Sequence, residues 1–226
     1  MCRACVIRRR GTWSIMSEAP PARGPNTRWW WVRHAPVTHL DGFIYGDSDP
    51  EADVTELALF QSVAARLPEP AVWIVTNLRR TTQTAQAIAR AGYDVPELLV
   101  EPALREQGFG DWHGRDHAAH DAARSDPFIG IWTCGPQDTP PGGESFVDLM
   151  RRVAEAVERL TERFRGRDIV CVAHGGSIRA ALAHALDLSP AMALAFGIDN
   201  VSVTRIERIH RAPAGAPSWR VRGVNM

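Results

Sequence analysis

Two histidines and three arginines in this chain stand where apolar runs give way to loops or helices. Arg33 and His34 close the run at 28–32, which holds Trp29, Trp30, Trp31 and Val32. Arg79 and Arg80 fall in the first turns of a helical pattern that follows the run at 72–75. His174 closes the run at 168–173 and is followed by Gly175 and Gly176. Open α/β sheets bind ligands at the carboxyl ends of their strands. Helix N-termini carry free N–H groups and partial positive charge, which favour anions. Arginine forks match phosphate oxygens. Together these features predict a phosphate site in one crevice, where Arg33, an arginine of the 79–80 pair, His34 and His174 meet two helix N-termini, with Gly175 at one of them.

The elements that must position these groups follow from periodicity. Residues 28–32 form an aromatic and β-branched run, read as a buried strand apolar on both faces. Residues 55–67 carry Leu57, Phe60, Val63, Ala64 and Leu67 at helical spacing. A strand is expected at 72–75 and a helix at 77–91, with Thr76 as its N-cap and Gly92 as its stop. A third strand is expected at 98–100. Residues 101–143 are irregular, with one short helix near 116–124; so long a segment in a compact domain is usually functional. Ser145 and Asp148 form a capping-box pattern ahead of a long amphipathic helix. The strand at 168–173 leads to a helix at 177–186, and strands are expected at 201–206 and 219–224. Strands alternating with helices predict an α/β fold, a three-layer α/β/α sandwich around a mostly parallel sheet.

The 226 residues carry 26 basic and 26 acidic side chains, for a formal net charge of zero. Nucleic-acid and acidic-membrane binders usually show a basic excess, so neither partner is expected. Hydrophobic residues make up 45%, enough for a real core. No apolar run approaches the roughly 20 residues of a membrane span. Cys2, Cys5, Cys134 and Cys171 are too few for a disulfide framework and fit a reducing compartment, the cytoplasm. Cys2 and Cys5 form one C-x-x-C pair, where a structural zinc site normally needs four ligands. The Pro-rich stretch at 1–26 reads as a disordered leader, with Met16 an alternative start, before one domain at 27–226.

Four segments resemble one family. They are Val32-Arg33-His34-Ala35; residues 76–85, with Arg79-Arg80-Thr81; residues 104–112, with Arg105-Glu106-Gln107-Gly108; and Val172-Ala173-His174-Gly175-Gly176. Their order and spacing resemble those of the histidine phosphatases, the phosphoglycerate mutase-like superfamily. The resemblance implies a phosphohistidine on His34, phosphate held by Arg33, Arg80 and His174, and Glu106 as acid and base. It implies a small-molecule phosphate ester as substrate, with no cofactor and no metal. Residues 140–145, Pro140-Pro141-Gly142-Gly143-Glu144-Ser145, look like the branch containing α-ribazole phosphatase, which makes α-ribazole 5′-phosphate one expected substrate. Two positions depart from the family: Ala35 stands where Gly is usual, and Val37 where Thr is frequent. Phosphoglycerate mutases of the superfamily carry a longer first loop than this chain. That reading and a silent phosphate-binding protein are the alternatives, and a homodimer is the assembly left open.

Other clusters read as structural. His113, His117 and His120 would share a face if helical, but Gly114 weakens a helix there, and a solvated or substrate-gating face is favoured over metal binding. Asp47, Asp49, Glu51 and Asp53 alternate as in a calcium loop, yet Ala52 and Ala58 replace the Gly and Glu such a loop needs. Arg79 reads as a solvated helix residue.

Overall fold

The computed structural model describes residues 26–226. The leader and the Cys2–Cys5 pair lie outside the described residues. In chain order the main elements are β1 (Asn26–Arg33), α1 (Leu57–Ala64), β2 (Val72–Val75), α2 (Arg79–Arg90), β3 (Leu98–Val100) and α3 (His117–Ala122). They continue as α4 (Phe146–Arg163), β4 (Asp168–Ala173), α5 (Gly175–Leu186), α6 (Pro190–Ala193), β5 (Val203–Ile209) and β6 (Trp219–Gly223). The sheet order is β3-β2-β4-β1-β5-β6. Four neighbouring strands, β3, β2, β4 and β1, are parallel. Only β5 runs against the rest, because it pairs antiparallel with both β1 and β6.

Helices cover both faces, as a parallel sheet requires. Trp29, Trp31 and Ile74 pack against Leu149, Val153 and Val157 of α4 and against Ile178 and Leu182 of α5. On the other face Val32, Trp73, Val75 and Val172 meet Phe60 and Val63 of α1 and Ala85 and Ile88 of α2. Trp29 and Trp31 are fully buried and stack at 4.9 Å. Trp30, between them, points to the opposite face as strand alternation demands, and its indole donates to Asp168 at 3.0 Å. The tryptophan run is therefore core, not ligand platform.

Several boundaries differ from the sequence expectation. Helix α2 begins at Arg79, two residues late, because Leu78 is still extended. Thr76 is not its N-cap; its hydroxyl accepts from the Leu78 N–H and bridges to His174. Helix α1 is shorter than 55–67, starting only after Thr55 and Glu56. The capping box forms as expected, with the Asp148 N–H donating to Ser145 Oγ at 3.1 Å. The His113–His120 face does not form. Gly114 sits at φ +80° and the helix starts only at His117.

Candidate active site

Strands β1 and β4 lie side by side with Arg33 opposite Ala173, so the two residues that follow them emerge together. The His34 N–H donates to the Ala173 carbonyl at 2.9 Å, and the imidazoles of His34 and His174 stand 5.1 Å apart, centroid to centroid. Both rings are buried. His34 Nδ1 lies 2.6 Å from the carbonyl oxygen of Ala35. A carbonyl only accepts, so Nδ1 carries the proton and Nε2 keeps a free lone pair. Burial holds His34 well below the usual imidazole range, and the charges of Arg80 and Arg33 act in the same direction. His174 is depressed likewise, first by burial and then by Arg80. Its Nε2 meets Thr76 Oγ1 at 2.9 Å. The β1 exit is pinned further by Asn200, whose Nδ2 donates to the His34 carbonyl at 2.8 Å, and by Thr84 Oγ1, which accepts from the Ala35 N–H at 2.9 Å. Ala35 lies outside the positive-φ residues, so this position does not require the glycine usual in the family.

Arg80 is fully buried at the start of α2. Its two terminal nitrogens donate to the carbonyls of Ser48 (2.6 Å) and Gly46 (2.7 Å), which fixes the guanidinium plane. Its Nε has no acceptor among the described residues, and neither does the buried Nε of Arg33. Arg33 anchors one terminal nitrogen on the Ile198 carbonyl. Arg79, by contrast, lies on the surface and pairs with Asp49 and Glu51.

Glu106 reaches the same place from the irregular segment. Its carboxylate accepts from the Gly176 N–H at 3.1 and 3.2 Å, at the first turn of α5. A Cβ on Gly176 would displace that carboxylate from its place against the helix start. The backbone that carries Glu106 hangs on Arg152 of α4. Arg152 donates to the carbonyls of Ala103, Arg105 and Glu106 at 2.9–3.0 Å and to both carboxylate oxygens of Glu144. Those contacts use all five guanidinium donors. Replacing Arg152 by methionine should cost on the order of 3 kcal/mol, because Glu144 keeps only the Gly108 N–H and three carbonyls lose their donor. Urea unfolding measures that loss, and lysine, which lacks the planar fork, should not restore it.

Arg33, Glu106 and Gly175 open onto a cleft of about 410 Å³ whose walls include Phe43, Tyr45, Phe109 and Trp132. Arg179, which the sequence reading passed over, also lines it. The three histidines of the irregular segment diverge. His113 Nε2 lies 3.2 Å from the Phe109 N–H and 3.3 Å from Asp47, His120 is bonded to the Thr133 carbonyl, and only His117 reaches the cleft. Among the described residues no group of three or more His, Cys, Asp or Glu side chains converges on a metal position. Among the same residues no helix is long and apolar enough to cross a membrane.

A mostly parallel sheet whose β1 and β4 exits each end in a histidine, flanked by arginines from β1 and α2, defines the class. The profile of the Histidine phosphatase superfamily (branch 1) matches residues 29–216, and the chain belongs to that superfamily. It is 30% identical over 158 residues to a metal-independent phosphoserine phosphatase of Arabidopsis thaliana, covering 66% of this chain and 64% of the relative. It is also 31% identical over 191 residues to a bifunctional protein of Mycobacterium tuberculosis, covering 82% of this chain and about half, 51%, of that longer relative. Among solved structures, a mycobacterial glucosyl-3-phosphoglycerate phosphatase superposes with a TM-score of 0.73 at 27% identity, covering 88% of this chain and 99% of the other.

Proposed function

We propose that this protein is a phosphomonoester hydrolase that transfers the phosphoryl group to His34 and then to water, acting on a small phosphorylated metabolite. One observation carries the reading. The buried Nε donors of Arg33 and Arg80, both without acceptors among the described residues, accompany a neutral, buried imidazole with a free Nε2. Leaving such donors unmade costs about 1–3 kcal/mol each, which phosphate oxygens would offset. The phosphatase names of the relatives support the same reading.

His34 Nε2 attacks phosphorus as the bond to the ester oxygen breaks. Glu106, entering with a proton, gives it to the leaving oxygen. In the second step the Glu106 carboxylate takes a proton from water, whose oxygen displaces Nε2 from phosphorus and releases inorganic phosphate. Arg33, Arg80 and His174 stabilise charge on the phosphoryl oxygens. Glucosyl-phosphoglycerates, phosphoserine and α-ribazole 5′-phosphate are the first substrates to screen.

Rapid mixing with p-nitrophenyl phosphate should give p-nitrophenolate together with acid-labile phosphoenzyme. No release of p-nitrophenolate would favour the silent phosphate-binding alternative. Charge at the site comes from protein cations, so dialysis against EDTA should leave turnover unchanged. A loss restored by one divalent metal would overturn the metal-free mechanism.

A further inference from the structure

Arg179 is not needed by the two-step reaction, yet it is held as firmly as the groups that are. It lies on α5 one turn beyond Gly175. Its Nε donates to the Phe196 carbonyl at 2.7 Å and its guanidinium lies over the Trp132 ring at 4.6 Å. Those two contacts fix the plane and leave the terminal nitrogens toward the cleft, where neither has a hydrogen-bond acceptor among the described residues. Its neighbour is another cation. A Cβ placed on Gly175 would sit 3.1 Å from Arg179 Nη1 and 3.9 Å from Arg33 Cζ, so both guanidinia bracket the start of α5. Burial lowers the Arg179 pKa to about 10, with Glu106 opposing the shift and Arg33 adding to it, which still leaves it charged at neutral pH. Among the described residues Arg33, Arg80 and Arg179 make no salt bridge. The acidic groups that line the cleft are Glu106 and Asp121, and Asp121 is already paired with Arg124 at 2.9 Å.

Arg33 and Arg179 thus both present guanidinium groups to the cleft, and the terminal nitrogens of Arg179 are not required by the phosphate contacts of Arg33, Arg80 and His174. We propose that Arg179 forms a second anion site, beside the phosphate site, that takes a carboxylate attached to the substrate a few bonds from the ester oxygen. The inference rests on the phosphomonoesterase reading and adds the substrate class: short phosphorylated hydroxy or amino acids, or larger molecules built on them. Its closeness to Arg33 sets the short spacing, and the planar fork sets the preference for carboxylate.

The test uses two esters that differ only at one carbon. 3-Phosphoglycerate carries a carboxylate where glycerol 3-phosphate carries a hydroxymethyl group. The full chain should prefer 3-phosphoglycerate in kcat/KM by about 10–100-fold, the range of a charge-assisted hydrogen-bonded pair. Arg179→Met should collapse that ratio toward one, and Arg179→Lys should retain part of it. An unchanged ratio in Arg179→Met overturns the proposal, because Arg179 would then serve phosphate or packing alike for both esters. The wild-type ratio requires no variant, and a value of one with both esters hydrolysed also overturns it. Failure of the wild type to hydrolyse any phosphomonoester would instead remove the phosphatase reading beneath it.

Discussion

Replacement of His34 by alanine is expected to abolish the acid-labile, base-stable phosphoenzyme and to lower turnover by roughly 10³–10⁶-fold, the range for removing a nucleophile. The other imidazole of the pair, His174, uses its Nε2 toward Thr76, and its Nδ1 has no partner among the described residues. The arginines cannot lose a proton to become nucleophiles at neutral pH. Folding should survive, because the β1 exit is also held by backbone bonds from Ala173 and by Asn200 on the His34 carbonyl. A melting curve beside the acid-quench assay separates loss of chemistry from loss of fold. The wild-type pH profile gives a second check. Burial and two arginines keep His34 neutral below the ordinary imidazole range, so the acid limb of kcat/KM set by this residue should fall below pH 6.5. Full turnover in His34→Ala would exclude it as nucleophile.

The parts of the site that could be read from sequence are those set by local rules. Arg33-His34 and His174-Gly175 end apolar strands, and strand ends in an α/β sheet point ligands toward one edge. The Ser145–Asp148 box is likewise local. What escaped depends on contacts distant in the chain. The run at 201–206 reads as a strand, which forms at Val203–Ile209, but its reversed direction is set by its pairing with β1 and β6. Arg179 hides within a mostly apolar helix; its spacing of four from Gly175, one helical turn, is the available signal. Arg152 was invisible for a different reason. Its role is to hold the irregular segment at Ala103, Arg105 and Glu106, roughly fifty residues earlier. Thr76 was assigned a capping role from composition, whereas tertiary structure places its hydroxyl against an imidazole. The short α6 was missed, although Ser189 followed by Pro190 is an ordinary helix-start signal.

Glu106→Gln should separate two kinds of leaving group. Glutamine can still accept from the Gly176 N–H through its carbonyl, so the α5 start and the cleft wall keep their contact. What it cannot do is give up a carboxylic proton as the ester bond breaks. An alkoxide needs that proton to depart, whereas p-nitrophenolate is stable as an anion near neutral pH. General acid catalysis is typically worth about 10²–10⁴-fold. The variant should therefore slow phosphorylation of His34 by glycerol 3-phosphate by roughly that factor, and by p-nitrophenyl phosphate far less. Single-turnover rates are required, because the same carboxylate activates water in the second step and its loss would slow steady-state turnover of both esters. In the single-turnover regime with p-nitrophenyl phosphate, phosphoenzyme should accumulate in Glu106→Gln, since formation is nearly normal and hydrolysis is impaired. Equal slowing of phosphorylation for both esters would assign Glu106 to binding or to the architecture of the α5 N-terminus, and the proton for the leaving oxygen would have to come from another group in the cleft, with His117 the first to replace.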